Sequence, residues 1–168
     1  LYSCPKDDGR LDIFYDYDGA ARHINRETLA QRRPWIWKYR ELLPVTDKTP
    51  ELTLGEGNTP LLPASNLGRK LGVRDLYIKD ETGNPTASFK DRCMVVGVAK
   101  ALEFGESVVA SASSGNAAAS LSAYAAKSGL KTYTFVPEDA PRAKIAQLIL
   151  LGATVIRVKS DEEGGDPT

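Results

Sequence analysis

The sequence predicts an α/β fold: a parallel sheet with helices on both faces, preceded by an N-terminal arm. Three observations predict it. From Phe89 onward, helical periodicity alternates with short β-branched runs, the pattern of parallel strands joined by helical crossovers. Ahead of that region, Pro50, Pro60 and Pro63 punctuate a stretch that reads as an extended connection. Finally, 168 residues of which 42% are hydrophobic and 26% charged suffice for one sizeable core with an appended arm.

Residues 1–44 form the arm. A hairpin is expected from 10 to 24, turning within 15–19, followed by a helix over 29–43 whose Trp35, Tyr39 and Leu42 share one packing face. Residues 45–88 connect the arm to the rest, with a short helix at 65–71 and a strand at 76–79. The α/β region spans 89–160. Its first helix places Met94, Val98, Ala101 and Leu102 on one face and leads to a strand at 107–111. An Ala-rich helix at 117–127, apolar almost all round, is expected to be buried. A strand at 132–136 follows. A helix opening near Pro141 turns Ile145, Leu148 and Ile149 inward and stops at Gly152, before a last strand at 153–158. Residues 161–168, acidic and Gly-rich, are expected to be flexible. There are no internal repeats.

Composition excludes several function classes. Lys and Arg total 22 against 22 Asp and Glu, so there is no electrostatic case for nucleic acid. No apolar run approaches a membrane span, and the opening residues Leu1 to Lys6 do not resemble a signal peptide. Cys4 and Cys93 read as isolated thiols, which points to a reducing cytoplasm. A structural zinc site needs four Cys or His ligands; with His23 the only histidine, no metal is expected.

Two segments carry chemistry. In Asn84-Pro85-Thr86-Ala87-Ser88-Phe89-Lys90-Asp91-Arg92, a turn precedes Ser88 and Asp91, spaced as an N-cap and capping box. Lys90 then lies in a first helical turn, where the dipole disfavours an ammonium and favours a nucleophilic amine. A merely solvated lysine is the alternative. In the second segment, strand 107–111 runs into Ala112-Ser113-Ser114-Gly115-Asn116 and then a helix, a small-residue anion cradle of free N–H groups. Gly115 is expected to permit the tight turn and Asn116 to donate to an oxygen; an ordinary connection with Asn116 as cap is the alternative.

Together and in this order, these segments resemble the fold-type II pyridoxal-phosphate enzymes of the tryptophan synthase beta-like superfamily, most closely the threonine synthases. The stretch 84–92 resembles that family's cofactor-lysine motif and 113–116 its substrate and cofactor loop. Leu54-Gly55-Glu56-Gly57-Asn58-Thr59-Pro60-Leu61 resembles its Gly-Glu-Gly-x-Thr-Pro-Leu signature, and residues 35–44 resemble an upstream aromatic helix ending in Leu-Leu-Pro. The resemblance runs from about residue 4 to 158. It implies that Lys90 holds pyridoxal 5'-phosphate as a Schiff base and moves protons during catalysis. It further implies that Asn116 bonds the ring's 3′-oxygen, and that Ser113, Ser114, Gly115, Asn116 and Ala117 bind the substrate carboxylate. Ser88 becomes a candidate for the substrate phosphate, or simply a helix cap. The implied reaction converts O-phosphohomoserine and water to threonine and phosphate, in a full-length enzyme expected to be a homodimer.

Three departures qualify what the resemblance implies. The family's Cys-Pro-x-Cys pair is broken here by Asp7, Ala87 stands where Gly is usual, and Ala117 where Thr is usual. The missing Thr hydroxyl leaves open a related enzyme with another substrate, such as a cysteate synthase or dehydratase; a non-catalytic α/β module is the further alternative. The resemblance also places a phosphate-binding Gly-rich loop and a partner to the pyridine nitrogen beyond position 168. The sequence is therefore expected to be the N-terminal portion of a longer enzyme, inactive alone.

Overall fold

The computed structural model describes residues 3–159, so the expected flexible tail at 161–168 lies outside the described residues. The regular part of the fold is a three-stranded parallel sheet in the order β3 (Val108–Ala112), β4 (Lys131–Pro137), β5 (Thr154–Val158). Between the strands run α5 (Asn116–Ser128) and α6 (Arg142–Leu150), and α4 (Lys90–Glu103) precedes the sheet. These are crossovers of the kind the alternating pattern predicts, and β4, in the centre, buries Thr132, Thr134 and Val136 at every second position.

Helix α5 lies between two cores. Leu121 and Tyr124 pack with Trp37, Val95, Val96, Val98 and Ala99, while Ala118 and Ala119 pack with Val136, Ile145, Leu148 and Ala153. Short alanine side chains let neighbouring elements approach it on both sides, so the helix is buried as its composition predicts. It stops at Gly129, whose φ of +76° is a left-handed C-cap.

Two inward faces differ from expectation. On α4 the buried residues are Asp91, Val95, Val96, Val98 and Ala99; Met94, Ala101 and Leu102 are only half-buried. The buried stripe is rotated because it includes a carboxylate that apolar periodicity passes over. On α6, Ile145 and Leu148 are buried but Ile149 is exposed.

The arm departs further. No hairpin forms over 10–24; instead the Asp16 side chain accepts from the Gly19 amide at 2.8 Å and caps a short helix, α1 (Tyr17–Ala21). The expected helix over 29–43 is broken. Helix α2 (Arg26–Gln31) opens at a capping box between Asn25 and Thr28, and the chain turns extended at Arg32, ahead of Pro34, as proline disfavours helix before it. It resumes as a 3₁₀ segment, Ile36–Leu42. Three residues per turn abolish the 35/39/42 face: Tyr39 and Leu42 are exposed, and Trp37 is the buried residue, its indole N–H donating to the Leu52 carbonyl at 2.5 Å.

In the connection, α3 (Ser65–Leu71) forms as expected, closed by Gly72 at φ +69°. The expected strand near 76–79 is β2 (Tyr77–Lys79), and it pairs antiparallel with β1 (Leu61–Pro63), a partner local patterning did not suggest. Among the described residues no helix is long and apolar enough to cross a membrane.

Candidate active site

Lys90 is the first residue of α4, half-buried, with Nζ 5.0 Å from the Phe89 ring centroid. The preceding loop is held by its own polar groups. Asn84 is buried; its Oδ1 accepts from the Gly57 amide at 3.0 Å and its Nδ2 donates to the Glu81 carbonyl at 2.9 Å. Ala87 takes a left-handed φ of +57°. Ser88 is buried, but the expected capping box does not form: its Oγ accepts from the Lys90 amide at 3.2 Å, and Asp91 turns away from the cap. The reason is a stronger set of donors elsewhere. Fully buried, the Asp91 carboxylate accepts from the Thr86 amide at 2.7 Å, the Thr86 hydroxyl at 2.5 Å and the Ser120 hydroxyl of α5 at 2.5 Å.

Strand β3 delivers the second loop to the N-terminus of α5. Ser113 Oγ accepts from the Gly115 amide at 3.1 Å, which closes the turn. Gly115 has φ −105° and ψ −155°, so the expected need for glycine's backbone freedom is not met. A Cβ there would meet nothing nearer than Ser113 Oγ at 3.8 Å. Asn116 is the first helical residue rather than the cap; its side chain is exposed and makes no bond among the described residues. The amides of Ser114, Asn116, Ala117 and Ala118 likewise have no partner among the described residues, as a first helical turn requires.

The Asp91–Ser120 bond joins these segments. Asp91 follows Lys90 directly, and Ser120 lies one helical turn beyond Asn116. The N-terminal ends of α4 and α5 therefore lie side by side, one carrying an amine and the other free amide donors. One turn further along α5, the buried Tyr124 hydroxyl donates to Glu56 Oε2 at 2.9 Å, alongside the Thr53 hydroxyl at 3.0 Å and the Leu54 amide at 3.2 Å. Burial pushes the Tyr124 phenol up, and the negative charges of Glu56 and Asp91 act in the same direction. Beside the loop, Glu81 takes two bonds from Arg92, at 2.7 and 2.9 Å, and one from Thr59 at 2.6 Å. Arg92 first, then Thr59, hold the Glu81 carboxyl down at about 2.

Sequence reasoning gave Thr86 and Glu56 no role beyond their motifs, assigned Asp91 to the cap, and passed over Ser120 and Tyr124. A signal was present: Ser120 and Tyr124 stand four apart on one face of an alanine-rich helix, and buried polar groups require partners.

An amine at one helix start, an exposed amide and unpaired N–H groups at the next, and no side chain obstructing Gly115 suit an aldehyde cofactor and a carboxylate substrate. The chain belongs to the pyridoxal-phosphate dependent enzymes, the family whose model matches residues 52–167. Within it, the chain is 45% identical over 162 residues to the threonine synthase of Methanocaldococcus jannaschii, covering 96% of this chain and 40% of that one. It is 44% identical over 162 residues to the threonine synthase of Methanosarcina acetivorans, covering 96% of this chain and 39% of that one. It thus spans about 40% of the length of these relatives. Among solved structures, the processed form of threonine deaminase isoform 2 from Solanum lycopersicum superposes with TM-score 0.56 at 28% identity, over 61% of this chain and 28% of that one. A pyridoxal 5'-phosphate-dependent aspartate racemase gives 0.56 at 29%, over 60% and 32%. The fold is that of the fold-type II enzymes, and the cofactor of the family is pyridoxal phosphate.

Proposed function

We propose that the full-length protein is a threonine synthase, converting O-phosphohomoserine and water to threonine and phosphate, with Lys90 as the cofactor lysine. The observation that carries this reading is the Asp91–Ser120 bond, which sets the Lys90 end of α4 against the Asn116 end of α5. The threonine synthase relatives support the choice of substrate.

When bound, pyridoxal phosphate supplies an electron sink for charge developing at the substrate α carbon. The residues of this chain do the rest. The Lys90 amine would hold the cofactor and would be placed to carry protons at the substrate's α, β and γ carbons. The amides of Ser114, Asn116 and Ala117 bind the substrate carboxylate, with Ser113 closing their turn and Gly115 leaving the approach open. The Asn116 side chain donates to the ring oxygen. Ser88 Oγ accepts from the Lys90 amide and keeps its own proton for the substrate phosphate. That phosphate leaves the γ carbon, and water adds at the β carbon.

Ala117 favours a second reading. It offers no hydroxyl at the start of α5, which suits a related enzyme acting on another amino acid. Borohydride reduction of the full-length protein followed by peptide mapping tests the site: a pyridoxyl adduct on Lys90 is expected, and one on Lys79 or Lys100 sinks the assignment. Phosphate release from O-phosphohomoserine then separates the two substrates.

A further inference from the structure

We propose that Asp91 is a positioning residue whose bond to Ser120 keeps Lys90 in register with Asn116. The proposal deepens the reading above and rests on Lys90 being the cofactor lysine. Its basis is a closed circuit of polar contacts, buried at Asp91–Ser120 and Tyr124–Glu56 and half-buried between them. Oδ1 of Asp91 takes hydroxyl bonds from two elements at once, Thr86 in the lysine loop and Ser120 in α5, both at 2.5 Å. The loop continues back to Asn84, which accepts from Gly57. The neighbour of Gly57, Glu56, accepts from Tyr124, four residues beyond Ser120 on α5. Asn116, Ser120 and Tyr124 therefore form one i, i+4, i+8 stripe. Its inner members grip the two upstream motifs, and its outer member stands at the open end.

Leu121 and Tyr124 pack against Val95, Val98 and Ala99 of α4, but apolar contact is non-directional and leaves the register to the polar pairing. A buried carboxylate with hydroxyl donors from two sides has one arrangement, since any other strands the charge. Asp91 does not touch the reacting atoms; it acts through the backbone it shares with Lys90.

The test uses the full-length protein loaded with pyridoxal phosphate and three variants: Ser120→Ala, Asp91→Asn and the double. Ser120→Ala removes one hydroxyl and keeps the helix, so circular dichroism stays unchanged and borohydride still fixes the cofactor on Lys90. The proposal expects a shifted cofactor absorbance maximum, kcat lowered about tenfold and KM changed less than about threefold, the mark of misplacement rather than lost binding. It further expects the double variant to be no worse than the more impaired single, because Asp91→Asn already weakens the bond that Ser120→Ala removes. A wild-type spectrum and kcat in Ser120→Ala overturns the proposal, as do single effects that multiply in the double. Failure of the underlying reading looks different: the wild-type protein itself gives no adduct on Lys90.

Discussion

Ala87 holds a left-handed φ of +57° three residues before Lys90, a conformation that favours glycine. A Cβ in that conformation costs roughly 1–2 kcal/mol, and glycine would return roughly 0.4–1 kcal/mol of that through the freedom of the unfolded chain. Ala87→Gly is therefore expected to stabilise the protein by about 0.5–1 kcal/mol, read as a higher urea midpoint; a lower midpoint refutes the strain. Another residue-scale consequence concerns acid. Glu81 is held down to about 2 by Arg92 and Thr59, Glu41 to about 2 by Arg32, and Glu103 to about 2 by Lys100. A depressed folded-state carboxyl contributes stability that is fully present above its ordinary value near 4.5 and lost as pH falls toward 2. Glu81→Gln is expected to flatten the fall in urea midpoint between pH 4.5 and 2 without removing it, because Glu41 and Glu103 still titrate there. An unchanged slope shows that the Arg92 pair persists in the unfolded chain.

Among the elements, α5 makes the sharpest prediction. Tyr124 supplies one of three donors to the fully buried Glu56, whose Oε1 has no partner among the described residues. Tyr124→Phe is expected to destabilise by about 1–3 kcal/mol, the cost of leaving a buried acceptor short of a donor. Ser122 is equally buried but donates to Ala118 within its own helix, so Ser122→Ala should stay within about 0.5 kcal/mol. Equal losses in chemical denaturation contradict the distinction. The same helix shows what the sequence discloses. Periodicity located α4, α5, α6 and the strands of the parallel sheet, because each is long enough for local pattern to decide. The Lys90 and Asn116 motifs were legible because their residue types sit at helix starts. The break at Pro34 was missed because the aromatic spacing outweighed one proline, and the pairing of β1 with β2 because it joins segments fourteen or more residues apart. The Asp91 circuit was invisible for a related reason: a carboxylate counts as polar in any pattern, and only the neighbouring helix reveals that it faces inward.

On the scale of the whole molecule, apolar exposure begins on the parallel strands, where Val108, Phe135 and Ile156 are 36–43% exposed, and continues into the connection. Leu61 and Leu62 of β1, Tyr77 and Ile78 of β2, and Leu67 and Leu71 of α3 are between 46% and 62% exposed. A two-stranded sheet is marginal on its own, and exposed apolar side chains such as the directly paired Leu62 and Ile78 mark a contact face or an association liability. The polypeptide of 168 residues, expressed alone, is expected to self-associate through this surface. Sedimentation velocity should show species growing with concentration, since the formal net charge of zero supplies no long-range repulsion to oppose contact. The charged pair Leu62→Lys and Ile78→Lys, each placed at a half-exposed strand position whose side chain makes no core contact, should return the chain to a monomer while leaving its helical circular dichroism intact. If the doubly substituted chain associates as before, the contact lies elsewhere, with the exposed Ile149 and Leu150 at the end of α6 the next surface to charge.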